Sequence, residues 1–235
     1  MMEVLAIIPA RGGSKGIKKK NLVKVKGKTL IEYSIEHALS SKYITKTIVS
    51  SENEEILTLA RGFKEVIPLQ RPQKLAEDHV LDLPVFEHAL EYLKLNENYV
   101  PDIIVHLRPT APFRRVEWID EAIEKLIETP EAESIRSVSE PEKHPYRIFD
   151  IDENGYLNSI MKHKHEQSFV LRRQDLPKMY YYNCVIDVTR WSTIMELKSM
   201  TGNKMLPFIM DPDEVIDIDT PKDLFILNQL FMDKL

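Results

Sequence analysis

The feature that most constrains the fold is a regular alternation of short apolar runs with amphipathic segments along residues 1–140. The first run, residues 4–8, is continuously apolar and ends at Pro9, which predicts a strand buried on both faces of a sheet. The same reasoning predicts strands at 46–51, 66–69 and 102–107, alternating with helices that begin near Thr29, Asn53, Asp82 and Val116. Because this alternation requires right-handed βαβ units, we expect an α/β fold with a mostly parallel sheet and helices on both faces.

Two residues in this region predict local detail. Pro68 lies within the third predicted strand, and because proline cannot donate to a sheet ladder we expect that strand near an edge. Asp82 is expected to cap the helix that follows it, with Pro84 tolerated in the first turn.

The alternation breaks off after residue 138. Residues 139–182 are polar and rich in His, Lys, Tyr and Pro, and Asn154-Gly155 separates two short apolar stretches within them. Asn-Gly between such stretches is a hairpin signal, so we predict a hairpin arm that serves dimerisation. The chain is thus expected to divide into a core at 1–138, the arm at 139–182, and residues 183–235, which complete the core with a strand at 215–219 and a C-terminal helix.

Composition excludes several other classes of protein. The 235 residues suit one large domain, and the single cysteine, Cys184, excludes a disulfide framework or a cysteine-based metal cluster. We expect Cys184 to be a small core residue, and a reducing compartment to be the protein's location. No apolar run approaches the ~18 residues of a membrane span, and the N-terminus does not resemble a signal peptide. We therefore expect a cytoplasmic protein, and the net charge of −5 argues against nucleic-acid binding.

The net charge conceals a strong local asymmetry. Residues 1–28 carry eight basic side chains and a single acid, Glu3, together with four of the seven glycines. The loop at 9–21 follows the first strand, and ligands of open α/β sheets bind beyond the carboxyl ends of the strands. Glycine backbone N–H groups there can approach phosphate oxygens, and Arg11, Lys15 and Lys20 would add positive charge.

This loop matches neither of two common nucleotide-binding patterns. It has no G-x-x-x-x-G-K-[ST] spacing and no G-x-G-x-x-G spacing. The main sequence evidence for a Walker-type or a dinucleotide-binding protein is therefore missing. From charge and glycine content alone, a solvated basic turn remains the alternative to a polyphosphate site.

Two aspartates near the C-terminus suit a hard cation. Asp217 and Asp219 alternate with Ile216 and Ile218 in a predicted strand, so both carboxylates are expected on one face. Carboxylates at i and i+2 can bind one Mg²⁺ that takes its other ligands from phosphate and water. A structural alternative is that Asp219 caps the helix opening at Pro221, although this would not account for Asp217.

Other candidates follow predicted strands or flank the arm. Arg71 and Arg108 come directly after strands, whereas Arg173 and Asn183 flank the arm. Each of these arginines alone is more often a surface ion-pair partner than a ligand contact, and their placement at strand ends favours a ligand contact only modestly. His163 and His165 could be considered as a metal pair, but Lys162 and Lys164 beside them favour a solvated segment.

Several segments together resemble one family. The loop reads Ile8-Pro9-Ala10-Arg11-Gly12-Gly13-Ser14-Lys15-Gly16, followed by Lys20-Asn21, and it resembles the signature of the acylneuraminate cytidylyltransferases (CMP-sialic acid synthetases). Later segments agree in the same order: Arg71-Pro72, Leu-x-Pro-Thr-x-Pro at 107–112, Arg173-Gln174-x-Leu176-Pro177, Asn183 and Asp217-Ile218-Asp219. The resemblance therefore spans nearly the whole chain.

The resemblance implies a Rossmann-like nucleotidyltransferase domain that works as a homodimer. It implies Mg²⁺-dependent transfer of CMP from CTP to a sialic acid-like 2-keto sugar acid, with release of pyrophosphate. Catalytic contacts to the triphosphate are implied for Arg11, Lys15 and Lys20, and metal binding for Asp217 and Asp219. Nucleotide contacts are implied for Ala10, Gly12, Gly13, Ser14, Asn21 and Arg71, and sugar-acid contacts for Arg108, Arg173 and Asn183.

Departures from the family pattern leave the substrate open. Arg108 replaces the family's usual glutamine, and Cys184 replaces the usual glycine after Asn183. Legionaminic and pseudaminic acid are therefore expected candidates beside N-acetylneuraminate, whereas the octulosonate (KDO) enzymes have a different loop. A non-catalytic nucleotide-sensing or scaffolding subunit, and a nucleotidyltransferase that uses UTP or GTP, are the alternatives.

Overall fold

The structure is a computed structural model that describes residues 2–161 and 167–232. Its strands are β1 (Val4–Pro9), β2 (Lys24–Val25), β3 (Lys28–Thr29), β4 (Lys46–Ser51), β5 (Val66–Gln70), β6 (Ile103–His106), β7 (Ser134–Ser139), β8 (Phe149–Ile151), β9 (Leu157–Ser159), β10 (Tyr181–Arg190) and β11 (Met205–Ile209). Its α-helices are α1 (Leu30–Ser40), α2 (Glu54–Arg61), α3 (Asp82–Glu97), α4 (Val116–Glu128), α5 (Trp191–Met195) and α6 (Pro221–Met232).

The central sheet has seven strands in the order β11-β7-β10-β6-β1-β4-β5. Only β10 runs against its neighbours, β6 and β7, and the other pairings are parallel. The expected α/β class with a mostly parallel, Rossmann-like sheet is therefore confirmed, and Pro68 lies in an edge strand as predicted. Strands β7 and β11 were not predicted from the sequence.

Helices cover both faces of the sheet because successive residues of β1 point to opposite sides. Val4, Ala6 and Ile8 pack in one apolar cluster with residues of α1, α2 and α4. Leu5 and Ile7 pack in a second cluster with residues of α3 and α5. The continuous apolar run at the N-terminus is thus explained by burial on both faces.

The helix starts follow local hydrogen bonding, with two corrections to the predictions. Thr29 and Glu32 form a reciprocal capping box at α1, and the Asn53 side chain accepts from two N–H groups at the start of α2. Asp82 does not cap α3: it is the first helical residue, and no side chain caps that helix. Asp219 does not cap α6, because Thr220 and Asp223 exchange hydrogen bonds there instead.

The expected strand at 215–219 is absent from the structure. This segment is irregular, and its backbone is held to the site by one hydrogen bond, from Ile218 N–H to the Thr110 carbonyl (2.9 Å). Ile218 is fully buried among Val25, Leu30 and Leu227. The apolar–polar alternation therefore reflects one anchoring isoleucine rather than a sheet ladder.

The predicted hairpin is present in the arm. Strands β8 and β9 pair antiparallel, and the turn between them places Gly155 at a φ of +86°, which glycine adopts without strain. Its apolar side chains are exposed, with Ile151 at 71% and Leu157 at 66%. The segment with His163 and His165, which was expected to be solvated, lies outside the described residues. In the described ranges, 2–161 and 167–232, the helices are too short or too polar to cross a bilayer.

Candidate active site

A cleft of about 440 Å³ opens beyond the carboxyl ends of β1, β5 and β6. The basic loop follows β1 into this cleft. Arg71 follows the edge strand β5, and the segment 106–110 comes at the end of β6. Eight of the residues predicted for the site line this cleft: Arg11, Ser14, Lys15, Lys20, Asn21, Arg71, Arg108 and Asp219. The structure therefore brings together side chains separated by more than 200 positions in the chain.

The cations of the loop are paired with carboxylates across the cleft. Arg11 Nη1 lies 2.7 Å from Asp78 Oδ1, and Lys15 Nζ lies 2.9 Å from Asp78 Oδ2. These hydrogen bonds from Lys15 and then Arg11 lower the pKa of Asp78. Lys20 Nζ lies 2.8 Å from Asp219 Oδ1. Two basic side chains of one loop can thus converge on a single anionic group.

Two glycines of the loop are required by packing against the protein itself. A Cβ at Gly12 would lie 2.7 Å from the Asn53 Cβ, and a Cβ at Gly16 would lie 2.4 Å from the Asp219 carbonyl oxygen. A Cβ at Gly13 would meet nothing within 4 Å. Packing within the protein is thus sufficient to require glycine at positions 12 and 16, whether or not phosphate approaches them.

Polar side chains hold the loop in this conformation. The Asn21 amide donates to the Arg11 carbonyl (2.8 Å), and the Ser14 hydroxyl donates to the Ile17 carbonyl while accepting from Lys20 N–H (3.2 Å). Ala10 is fully buried, so its side chain packs in the core and does not line the cleft.

Glu52 is a site residue that sequence reasoning missed. Its Oε1 accepts a hydrogen bond from Gly12 N–H at 2.6 Å, and its Oε2 accepts from Arg71 Nη2 at 3.0 Å and Nε at 3.2 Å. The side chains of Glu52 and Arg71 are only 9% and 4% exposed. Glu52 thus connects the basic loop to Arg71. Its place directly after a predicted strand was the one available signal.

Asp217 and Asp219 differ in environment. The Asp217 Oδ1 atom is buried without a hydrogen-bond partner, whereas Asp219 is exposed and bound to Lys20. Burial raises the pKa of Asp217, a hydrogen bond from Thr110 opposes the rise, and the charge of Asp219 adds to it. No group of three or more His, Cys, Asp or Glu suited to a metal occurs in the described part of the chain. An oxygen-only donor pair with one unsatisfied buried oxygen fits Mg²⁺.

Arg108 is held by two carboxylates of the protein. Its Nη2 lies 3.1 Å from Asp82 Oδ2, its Nη1 donates to Asp187 Oδ2, and the Tyr182 hydroxyl donates to the same Asp187 oxygen. Burial opposes the charge on Arg108, but attraction by Asp187, Tyr182 and Asp82 outweighs burial and raises its pKa. None of these three partners was predicted. The sequence offered no signal for Tyr182 or Asp187, because both act through an arginine more than seventy positions away.

The other two residues assigned to the sugar acid lie outside the cleft. Arg173 lines a separate cavity beside the arm, where it donates to the Pro141 carbonyl (3.2 Å). Asn183 is buried. Its Nδ2 donates a hydrogen bond to Ser139 Oγ (2.9 Å), and its Oδ1 accepts one from Ser137 Oγ (2.5 Å). Asn183 therefore fixes the irregular start of β10 against β7. Next to it, half-buried Cys184 has a φ of +61°, a conformation that favours glycine.

Comparison with known proteins gives consistent results. The sequence model of the family described as cytidylyltransferase matches residues 5–210. The chain is 33% identical over 223 residues to a pseudaminic acid cytidylyltransferase of Campylobacter jejuni, covering 95% of this chain and 94% of that protein. It is 31% identical over 232 residues to a CMP-N,N'-diacetyllegionaminic acid synthase of Campylobacter jejuni, covering 98% and 95%.

A solved structure shows the same fold. It is a CMP:2-keto-3-deoxy-manno-octonic acid synthetase complexed with CTP, with a TM-score of 0.70 and 14% identity. The match covers 99% of this chain and 100% of that one.

Proposed function

Because this chain belongs to the cytidylyltransferase family and is therefore a nucleotidyltransferase, we propose that it transfers CMP from CTP to a nonulosonic acid. Pseudaminic and legionaminic acid are the first candidate acceptors, since relatives named for each cover nearly all of the chain. The observation that carries the proposal is the convergence of Arg11 and Lys15 on one anion. That arrangement suits the phosphates of a nucleotide.

In the proposed reaction a hydroxyl of the 2-keto sugar acid attacks the α-phosphorus of CTP. A phosphorus–oxygen bond to the sugar forms, the bond to the β-phosphate breaks, pyrophosphate leaves, and the proton of the attacking hydroxyl is released to solvent. Arg11, Lys15 and Lys20 neutralise the charge that accumulates on the departing phosphates, because phosphoryl transfer depends mainly on positioning and charge stabilisation. Arg71, which Glu52 holds at the β5 side of the cleft, would contact the nucleoside.

We propose that Asp217 and Asp219 hold Mg²⁺. The buried Oδ1 of Asp217, which has no hydrogen-bond partner in the protein, supports this assignment. Lys20, which now pairs with Asp219, would release it to the metal and bind a phosphate instead. When bound there, the ion would act as a Lewis acid toward phosphate oxygens.

Pyrophosphate release tests the reaction. Purified protein with Mg²⁺ is given each of the four nucleoside triphosphates with pseudaminic, legionaminic, N-acetylneuraminic or KDO acid in turn. We expect release with CTP and one nonulosonic acid. Release with UTP or GTP alone would refute the choice of nucleotide, and CTP binding without any release would favour the non-catalytic alternative.

The metal assignment has a matched pair of variants. Asp219→Asn should abolish stimulation by Mg²⁺, whereas Asp213→Asn, an exposed change in the same acidic segment, should leave it intact. Equal stimulation of both variants would contradict the assignment.

We further propose that two copies associate through the arm. The exposed apolar side chains of Ile151 and Leu157 support this, because a hairpin with no core of its own gains stability by burying them. Analytical ultracentrifugation should give the mass of a dimer, and Ile151→Lys with Leu157→Lys should give the monomer. A wild-type monomer at micromolar concentration would refute the proposal.

A further inference from the structure

The topology of the sheet orders the cleft from one side to the other. Strand β1, which carries the basic loop, has β4 and β5 on one side and β6 on the other. Arg71 follows β5, whereas His106 ends β6 and Arg108 lies just beyond it. With the nucleoside on the β5 side and the phosphates on the loop, the sugar acid is left with the β6 side.

His106 lines the cleft on that side and has an unusual environment. The residue is only 2% exposed, and both ring nitrogens are buried without a hydrogen-bond partner. Its Nδ1 lies 3.7 Å from Asp187 Oδ2 and 3.9 Å from Asp82 Oδ2, too far for hydrogen bonds. The ring of Phe86 contacts the imidazole edge-on, with centroids 4.7 Å apart.

The imidazole is neutral. Burial, and then the charges of Arg108, Arg136 and Arg114, lower the pKa of His106 well below its ordinary value. A neutral imidazole has one N–H donor and one acceptor nitrogen. The two carboxylates near Nδ1 favour the proton on that nitrogen, which leaves Nε2 as the acceptor.

A buried polar group without a hydrogen-bond partner destabilises the protein, so its presence in a cleft calls for a ligand group to satisfy it. We infer that His106 contacts the sugar acid, accepting a hydrogen bond from one of its hydroxyl or acylamino groups, an assignment that rests on the proposed function. His106 would then help to select acceptors that carry such a group at the β6 side of the cleft.

The test is a comparison of Michaelis constants for the two substrates. His106→Phe removes both nitrogens but keeps an aromatic ring against Phe86. We expect its KM for the sugar acid to rise about tenfold, while its KM for CTP stays within twofold. His106→Gln, which retains an acceptor oxygen, should recover part of the loss.

His88→Phe is the matched control. This histidine lies on α3, also has an unpartnered Nδ1, and does not line the cleft, so both Michaelis constants should remain unchanged. An unchanged KM for the sugar acid in folded His106→Phe would refute the assignment, as would equal rises for both substrates. If His106→Phe does not fold, His106→Gln and His106→Leu decide in the same way, with the larger rise expected for the leucine.

One further measurement separates this inference from the proposed function. A wild-type protein that releases no pyrophosphate with CTP and any of the acids would refute the proposed function and the assignment with it. An active wild type whose His106 variants bind the sugar acid normally would refute the assignment alone.

Discussion

His37 should make the folded protein sensitive to mild acid. It lies in the last turn of α1, where the helix dipole ordinarily favours a charged imidazole. Here burial, followed by the charges of Arg114 and Lys28, lowers its pKa from 6.5 to about 3. The native state therefore stays unprotonated at a pH where the unfolded chain has already bound a proton.

The magnitude follows from this difference in proton binding. Above pH 6.5 neither state is protonated at His37, and no stability is lost. As the pH falls below 6.5 the unfolded state binds the proton and the folded state does not. The free energy of unfolding therefore falls by about 1.4 kcal/mol per pH unit until the pH reaches the folded pKa near 3. Between pH 8 and pH 5 His37 should therefore lower the free energy of unfolding by about 2 kcal/mol.

Urea unfolding of wild type and His37→Gln at both pH values isolates this contribution. Other groups titrate equally in the two proteins, so the loss on going to pH 5 should be about 2 kcal/mol smaller in the variant. His79→Gln, a change at a side chain that is 80% exposed, is the control and should behave as wild type. Losses that agree within 0.5 kcal/mol between wild type and His37→Gln, roughly the error of such measurements, would refute the reasoning.

Three further predictions concern the loop, its support and the start of β10. Arg11→Ala should leave the circular dichroism spectrum unchanged and lower kcat about 10²–10³-fold in the pyrophosphate assay, and a near-normal kcat would contradict its role. Glu52→Gln should raise the KM for CTP about tenfold or more, because it leaves the buried charge of Arg71 without its carboxylate, whereas Glu55→Gln, at an exposed partner of Lys19, should not. Cys184→Gly should raise the free energy of unfolding by about 0.5–1 kcal/mol because it relieves the positive φ, and Cys184→Ala, which keeps a Cβ, should not.

Strands β1, β4 and β6 were predicted from the sequence and are buried on both faces, and the edge strand β5 was predicted although it is only partly buried. Continuous apolar runs such as residues 4–8 have no other stable environment in a soluble domain, so their pattern is decisive. Strand β11 contains Pro207 and lies half-exposed at the edge, and β7 is interrupted by serines and Arg136, so neither produces such a run. The segment 215–219 was instead predicted as a strand and is not one, because alternation alone cannot distinguish a sheet strand from an irregular segment with a single buried isoleucine.

Residues that line the cleft could be predicted where local charge marks them, and not where a residue acts by holding another residue in place. The loop cations combine local charge with a strand end, and Asp219 belongs to a run of acidic residues; these signals are visible in the sequence. Glu52 and Asp187 act by holding Arg71 and Arg108, partners that lie 19 and 79 residues away and meet them only in the folded sheet. Such pairings depend on tertiary contact.

The pairing of Arg11 and Lys15 with Asp78 has a consequence for how the protein discriminates among anions in the cell. Two cations of the basic loop are already engaged within the protein, because both pair with the single carboxylate of Asp78. An incoming anion must displace Asp78 as well as contact the cations. Inorganic phosphate, with few other contacts to the cleft, would gain little from that exchange, whereas in the proposed reaction a triphosphate that also contacts Lys20 and Arg71 would compete. Asp78 would thus raise the threshold for occupancy of the cleft by small anions.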